Sequence, residues 1–299
     1  MQTFKTIDNI RIAYSVYGDD SAPVVLMIMG LGMPSQAWPT HLIEQLVRQG
    51  LRVIVFDNRD SGQSTKIQQP IGSFTVFRAI LKTLLRKPVS GCYSLEDMAA
   101  DAVAVLDQLQ VRRAHILGVS MGAMIGQVLA YLYPQRVASL VSIMGASGNP
   151  RTGLGKFRAI KALLGKPDQP NNVVSMRKYL HKIFKAIGSP HYCYSEQQVK
   201  ILANALLDSG FDRSWTYRQL LAILASGDRS KYLKRIMTPT LVIHGRQDPL
   251  LPIAAGEEVA RLIPNSRIMT VNGMGHDLPD QIVDQIIPAI SQHCHRYKD

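Results

Sequence analysis

Ser120 stands at the centre of Gly118-Val119-Ser120-Met121-Gly122, a Gly-x-Ser-x-Gly pentapeptide. A serine hydroxyl becomes a useful nucleophile when a neighbouring base takes its proton and a third group orients that base. Such a set performs acyl transfer, whose transition state carries an oxyanion that needs two aimed N–H donors. Met121, directly after the serine, supplies one backbone donor. The second is expected from the turn Gly30-Leu31-Gly32-Met33-Pro34, where two glycines let the backbone approach a ligand. Leu31 N–H is the expected donor, with Gly32 the neighbouring alternative. A plain strand-to-helix turn is the competing reading of that stretch.

Ligands of an open parallel sheet bind at the C-terminal strand ends, so the base and its acid are sought just after strands. Asp248 follows the apolar run Thr240 to His244 in HGRQDPLLP, and His276 follows Arg267 to Val271 in NGMGHDLP. The loop Gly145 to Asn149, after the run Val137 to Met144, carries no carboxylate and so leaves the acid's place to Asp248. The other histidines suit the task less. His41, His181 and His191 fall in helices or in the helix-rich stretch after Gly148, and His115 begins a strand. His244 lies four residues before Asp248 and reads as structural. His293 and His295 sit near the C-terminus without a third ligand, so no metal site is expected.

The elements that must position these groups alternate. Strands are expected within Ile7 to Tyr17 and at Val24–Met29, Arg52–Phe56, Ala114–Leu117, Val137–Met144, Thr240–His244 and Arg267–Val271. Helices are expected at Ser35–Arg48, Leu95–Leu109, Ala123–Tyr131, Ala254–Leu262 and Asp280–His293, with Ser94 and Asp97 forming a capping box. Strands separated by helices imply an α/β fold with a mostly parallel central sheet flanked by helices. Ser120 then sits where a strand turns sharply into a helix. The alternation breaks after Gly148. Four helical stretches follow, Leu154–Leu164, Ser175–Ile187, Ser195–Leu207 and Ser214–Leu224, and no alternating strand pattern. The expected organisation is a core of residues 1–147 and 236–299 with a helical cap, residues 148–235, inserted between sheet strands.

Composition narrows the class. Hydrophobic content of 46% and charged content of 19% describe a globular chain of 299 residues, large enough for a substantial core. Three cysteines imply no disulfide framework, and the N-terminus lacks the pattern of a secretory signal, so the cytoplasm is the expected compartment. Apolar runs such as Val24 to Met29 are too short to span a bilayer, so no stable membrane insertion is expected. The net charge of +12 is uneven: residues 151–200 hold ten Lys/Arg against Asp168 and Glu196, and five basic residues with no acid lie between Lys66 and Lys87. Such a surface attracts anionic partners. With no accompanying nucleic-acid motif it reads as a solvated exterior, and no nucleic-acid partner is expected.

The strings MGLG…W (Met29 to Trp38), FDNRDSGQST, GVSMGAMIGQ, LVIHGRQDPLLP and GMGHDLP together resemble capped α/β-hydrolases of the fold-1 serine esterase group. Within it they resemble the aclacinomycin methylesterase-like branch, over essentially the whole chain. The order Ser120, Asp248, His276 matches the serine, acid, histidine order of that fold. The resemblance implies hydrolysis of a small-molecule carboxylic ester without metal or cofactor, with these three residues as triad. Met29 departs from the pattern, since many relatives carry histidine before the glycine. The substrate pocket is expected at Gly30, Gly32, Met33 and Met274, where flexible thioethers suit short to medium acyl or methyl esters. Met124 and Met144 read as core. The same triad also serves cofactor-free perhydrolases and carbon–carbon bond hydrolases, and the same fold serves non-enzymatic small-molecule receptors. Gly30-Leu31-Gly32 with Asp57 faintly resembles a dinucleotide fingerprint, but Ser35 replaces the third glycine and Pro34 interrupts the turn.

Overall fold

The computed structural model describes residues 1–6 and 8–297. Among these, the strands are β1 (Gln2–Lys5), β2 (Arg11–Tyr17), β3 (Val24–Ile28), β4 (Arg52–Phe56), β5 (Ala114–Val119), β6 (Val137–Ile143), β7 (Thr240–Gly245) and β8 (Ser266–Val271). They join in one sheet of order β1-β2-β4-β3-β5-β6-β7-β8. β2 pairs antiparallel with both β1 and β4, and every other pairing is parallel. Ile7, where the opening strands were expected to begin, lies outside the described residues. β1 precedes the expected stretch; its four residues are mostly exposed and show no alternation to read.

The helices are α1 (Thr40–Arg48), α2 (Ser73–Leu84), α3 (Leu95–Gln108), α4 (Met121–Leu132), α5 (Pro150–Gly153), α6 (Phe157–Leu163), α7 (Val173–Ile187), α8 (Glu196–Asp208), α9 (Arg213–Ser226), α10 (Ser230–Leu233), α11 (Ile253–Leu262) and α12 (Asp280–Arg296). Side-chain alternation across the pleat divides the core between the two sheet faces. Leu26, Ile28, Ile54, Phe56 and Ile116 join one cluster with the inner faces of α3, α4 and α11. Val25, Met27, Val53, Val55 and Leu117 join the other with α1 and α12. Because both faces are covered, β5, β6 and β7 are buried throughout, which is why they read as continuous apolar runs.

Three expectations change. The helix expected over Ser35–Arg48 starts only at Thr40, because Pro39 drives Trp38 to an extended ψ of 130° and leaves a single 3-10 turn before it. Of the stretch Leu154–Leu164 only Phe157–Leu163 is helical, as α6, because Lys156 N–H bonds the Pro249 carbonyl at 2.8 Å, and the short α5 precedes the stretch. α2 was not expected at all. The Ser94–Asp97 capping box is present at α3, with both reciprocal hydrogen bonds formed.

Between β6 and β7 the described chain makes only helices, α5 to α10. The two ends of this insertion meet. Arg229 N–H bonds the Ser147 carbonyl at 2.8 Å, and the Arg229 guanidinium bonds the carbonyl of Ala146 at 2.9 Å. Glu258 of α11 accepts from Ser147, Asn149 and Thr152, which ties the first end down to the sheet layer.

Candidate active site

β3 leads to β4 on one side and β5 lies on its other side, so the strand order reverses between β3 and β5. A crevice opens at the C-terminal ends of two such strands. Ser120 stands there, directly after β5, with φ 54° and ψ −117°. That backbone is costly for a residue with a side chain, on the order of 1–3 kcal/mol, and persists only where the surroundings enforce it. Here the enforcement is visible. Ser120 N–H bonds the Ile143 carbonyl of β6 at 3.0 Å, and α4 starts at the next residue. A Cβ on Gly122 would lie 1.9 Å from the Ile28 carbonyl oxygen, so only glycine lets α4 start this close to β3.

The three side chains singled out in the sequence converge. His276 Nε2 lies 2.9 Å from Ser120 Oγ, and His276 Nδ1 lies 2.7 Å from Asp248 Oδ2. Asp248 has no side-chain exposure, and its other oxygen accepts from the Leu250 and Leu251 amides at 2.8 and 2.9 Å. The carboxylate is thus held in one orientation. A carboxylate accepting from Nδ1–H leaves Nε2 free to accept the serine proton. His244, also beneath the site, gives its Nε2 to the Leu251 carbonyl at 2.8 Å. Burial pushes its imidazole down from the ordinary value, which keeps it neutral. Its place is structural, as expected.

The turn after β3 brings Gly30 against Ser120, where a Cβ would be 3.4 Å from the serine Cβ. Gly32, the alternative oxyanion donor, is already engaged: its N–H bonds Gln219 Oε1 of α9 at 2.7 Å. Gly32 has φ +69°, and its α-carbon faces Thr216, so it turns away from the serine. Leu31 lines the cavity beside Gly30, and Met121 stands at the positive end of α4.

A layer of buried polar residues holds this turn. Asn58 Nδ2 bonds the Met29 carbonyl at 3.0 Å, Asp57 Oδ1 accepts from Ser35 N–H at 2.6 Å, and Gln219 Nε2 bonds the Arg59 carbonyl at 2.7 Å. Arg218 makes a two-pronged pair with Asp60, at 2.7 and 2.8 Å, and Arg59 does the same with Asp101. Sequence reasoning used FDNRDSGQST as one string of the family resemblance and missed Arg218 and Gln219. Their signal was an Arg-Gln pair followed directly by the apolar run Leu220 to Ala225.

A cavity of ≈ 340 Å³ opens above Ser120 and His276, lined by residues of the sheet loops, α2 and the inserted helices. Its walls are apolar, among them Met33, Val119, Ile183, Phe184, Leu220 and Leu250. Gly30 and Met33 line it as expected. Met274 does not: it is fully buried in the α1–α12 side of the core. Gly32 also fails to line it, since it faces Thr216 in a separate small cleft. Met124 and Met144, expected as core, are buried members of it and line the cavity as well, Met124 from the first turn of α4 and Met144 directly after β6.

Beside His276, Asp277 is buried, and that burial pushes its carboxyl up to about 6 against hydrogen bonds from Ser189 N–H and Oγ at 2.9 and 2.5 Å. An unfolded aspartate titrates near 3.9. Between about pH 4 and 6 the native chain therefore keeps a proton that the unfolded chain has released, so stability falls as pH rises through that window. Asp277→Asn removes the loss, since an amide oxygen still accepts both bonds. The melting temperature of the variant is expected to gain on the parent from about pH 4 to 6 and hold its lead above. A gap between them that does not change with pH would count against this.

The description of the alpha/beta hydrolase fold matches residues 23–281. Rhodomycin D methylesterase DnrP of Streptomyces peucetius is 27% identical over 308 residues, covering 96% of this chain and 96% of that protein. A 2-hydroxy-6-oxononadienedioate/2-hydroxy-6-oxononatrienedioate hydrolase of Cupriavidus pinatubonensis is 27% identical over 284 residues, covering 91% and 88%. The crystal structure of the enol-lactonase from Burkholderia xenovorans LB400 superposes with a TM-score of 0.71 at 21% identity, covering 96% of this chain and 97% of that one, which speaks for the fold alone. With a match spanning most of its length and the sheet order to go with it, the chain belongs to the alpha/beta hydrolase fold family.

Proposed function

We propose that this chain hydrolyses carboxylic esters, of short to medium acyl groups or of methanol, through an acyl-enzyme on Ser120. The observation that carries the reading is the continuous Ser120–His276–Asp248 relay, at 2.9 and 2.7 Å, opening into an apolar cavity. The methylesterase likeness over 96% of both chains supports the same chemistry. In this reading residues 148–235 form a cap over the core of 1–147 and 236–299.

His276 Nε2 takes the Ser120 proton as Oγ attacks the ester carbonyl. The oxyanion is held by the N–H groups of Met121 and Leu31. The alcohol departs with the proton from His276, leaving the acyl group on Oγ. Water then enters, gives its proton to His276 and attacks the acyl carbon, and the carboxylic acid leaves as the proton returns to Oγ. Asp248 holds the imidazole orientation and stabilises its cationic form. The walls around the oxyanion are apolar, which strengthens both N–H contacts.

Labelling by a fluorophosphonate probe, followed by a chain-length series of p-nitrophenyl esters, tests the proposal. Covalent labelling of Ser120 and turnover highest on short and medium acyl groups is expected; an unlabelled serine, or a rate peaking at long lipid acyl groups, would overturn it. Gln219→Leu should lower kcat roughly tenfold, with KM nearly unchanged, because the turn carrying Leu31 loses its anchor. A variant with full kcat would remove Gln219 from the account. A carbon–carbon bond hydrolase is the second reading, on the likeness to the Cupriavidus hydrolase, and the same labelled serine with turnover only on vinylogous diketones would select it. Cys92, Cys193 and Cys294 are free, which suits the reducing cytoplasm.

A further inference from the structure

α2 departs from the usual pattern of a surface helix. Val76 and Ala79 are buried, while Phe74, Phe77, Leu81 and Leu84 stand 69%, 56%, 42% and 48% exposed, and Leu85 just beyond them is 66% exposed. At 100° per residue these five side chains fall within one outward stripe. Arg78 and Lys82 lie along one flank of it, Arg86 and Lys87 follow at its end, and no acid occurs between Lys66 and Lys87. An apolar stripe bordered by cations matches a helix lying in the plane of a membrane interface. A soluble surface gains nothing from it.

The stripe adjoins the cavity. Ile80, Thr83 and Leu84 of α2 line the space above Ser120, and Leu154 lines it while remaining 56% exposed, so Leu84 and Leu154 form its rim. Beyond Leu154, α6 turns Ile160 and Leu163 to the cavity and leaves Phe157 79% exposed, among Lys156, Arg158 and Lys161. Apolar side chains at the cavity mouth are thus surrounded on two elements by positive charge. Among the described residues no helix is long and apolar enough to cross a membrane, so the contact is one of lying on the surface.

We propose that α2 and the cavity rim dock on an anionic phospholipid bilayer surface, with Phe74, Phe77 and Leu81 entering the interface and Arg78 and Lys82 facing the lipid phosphates. The charge complementarity names the occupant: a nucleic-acid duplex would use the cations but leave the apolar stripe in water, a single strand could stack bases on Phe74 and Phe77 but would leave Leu81, Leu84 and Leu85 in water, and a neutral partner would leave the cations unpaired. Docked in this way, the cavity opens toward the bilayer, and an apolar ester partitioned there reaches Ser120 without first crossing water. The surface contact goes beyond the hydrolytic reading and does not depend on it.

The test uses the full chain carrying Ser120→Ala, so that binding is read without turnover. It is mixed with vesicles of phosphatidylcholine alone, or of phosphatidylcholine with phosphatidylglycerol, and the bound fraction is measured by sedimentation. Partitioning to the anionic vesicles at least about tenfold above the neutral ones is expected, weakening as salt is raised. In the same background Arg78→Glu/Lys82→Glu and, separately, Phe74→Ser/Phe77→Ser should each lower it about tenfold or more. Both pairs should keep the circular dichroism spectrum and melting curve of the parent, which shows them folded. Equal binding to neutral vesicles overturns the proposal. So does loss on charge reversal with none in the phenylalanine pair, since that is diffuse attraction which nucleic acid would share. A dimer that Phe77→Ser breaks, without vesicle binding, overturns it as well.

Discussion

Replacing Ser120 with alanine is expected to lower kcat for p-nitrophenyl acetate by about 10⁵- to 10⁶-fold, the scale seen when a triad enzyme loses its nucleophile. The fold should be retained. The left-handed backbone at Ser120 is imposed by the Ile143 bond and by the approach of α4 to β3, and neither uses the hydroxyl. Asp248→Asn should cost less, about 10⁴-fold, because the amide presents a donor where the carboxylate accepts and favours the wrong imidazole tautomer. Substituting both should cost little more than Ser120→Ala alone, because the three groups act as a unit. Circular dichroism and melting curves separate loss of chemistry from loss of fold. Turnover by well-folded Ser120→Ala near the parent rate would end the acyl-enzyme account.

Arg218→Met should destabilise the chain by about 3–5 kcal/mol, the usual cost of leaving one member of a buried pair without its partner. Arg218 and Asp60 have side-chain exposures of 1% and 0%. Without the guanidinium, Asp60 keeps only the Tyr93 hydroxyl at 2.8 Å and the Ile67 amide at 2.8 Å. For a chain of this size the melting temperature should drop by about 5 to 15 °C. Arg218→Met together with Asp60→Asn should recover most of that loss, since the uncompensated charge is gone. The single variant melting within about one degree of the parent would show that solvent reaches Asp60 and that the pair contributes little. The same variant should reduce activity, because Gln219, next on α9, anchors the turn that carries Leu31.

The sheet and the convergence of Ser120, Asp248 and His276 were legible in the residues because each has a strictly local signal. Ala114 to Val119 and Val137 to Ile143 are apolar throughout because helices cover both sheet faces, and the Gly-x-Ser-x-Gly spacing is what a strand-to-helix turn needs. Asp248 and His276 follow strands, and a parallel sheet gathers the C-terminal ends of its strands on one side. Those calculations of place need no knowledge of side-chain packing. α2 escaped notice for the opposite reason: with Val76 and Ala79 as its buried residues, it lacks the inward apolar stripe by which helices are recognised.

From its own order of residues the chain determined a doubly covered α/β sheet, a serine on a sharp turn, and an aspartate and a histidine arriving from later strands. Tertiary structure alone decided the rest. It assigned the Gly32 amide to Gln219, sent Met274 into the core, brought Met124 and Met144 to the cavity, and set Arg218 on Asp60 across 158 positions of chain. The physical reason is the range of the interactions. Periodicity and turn chemistry act within a few residues, whereas the partner of a buried polar group or the wall of a cavity depends on which elements meet after the chain has packed.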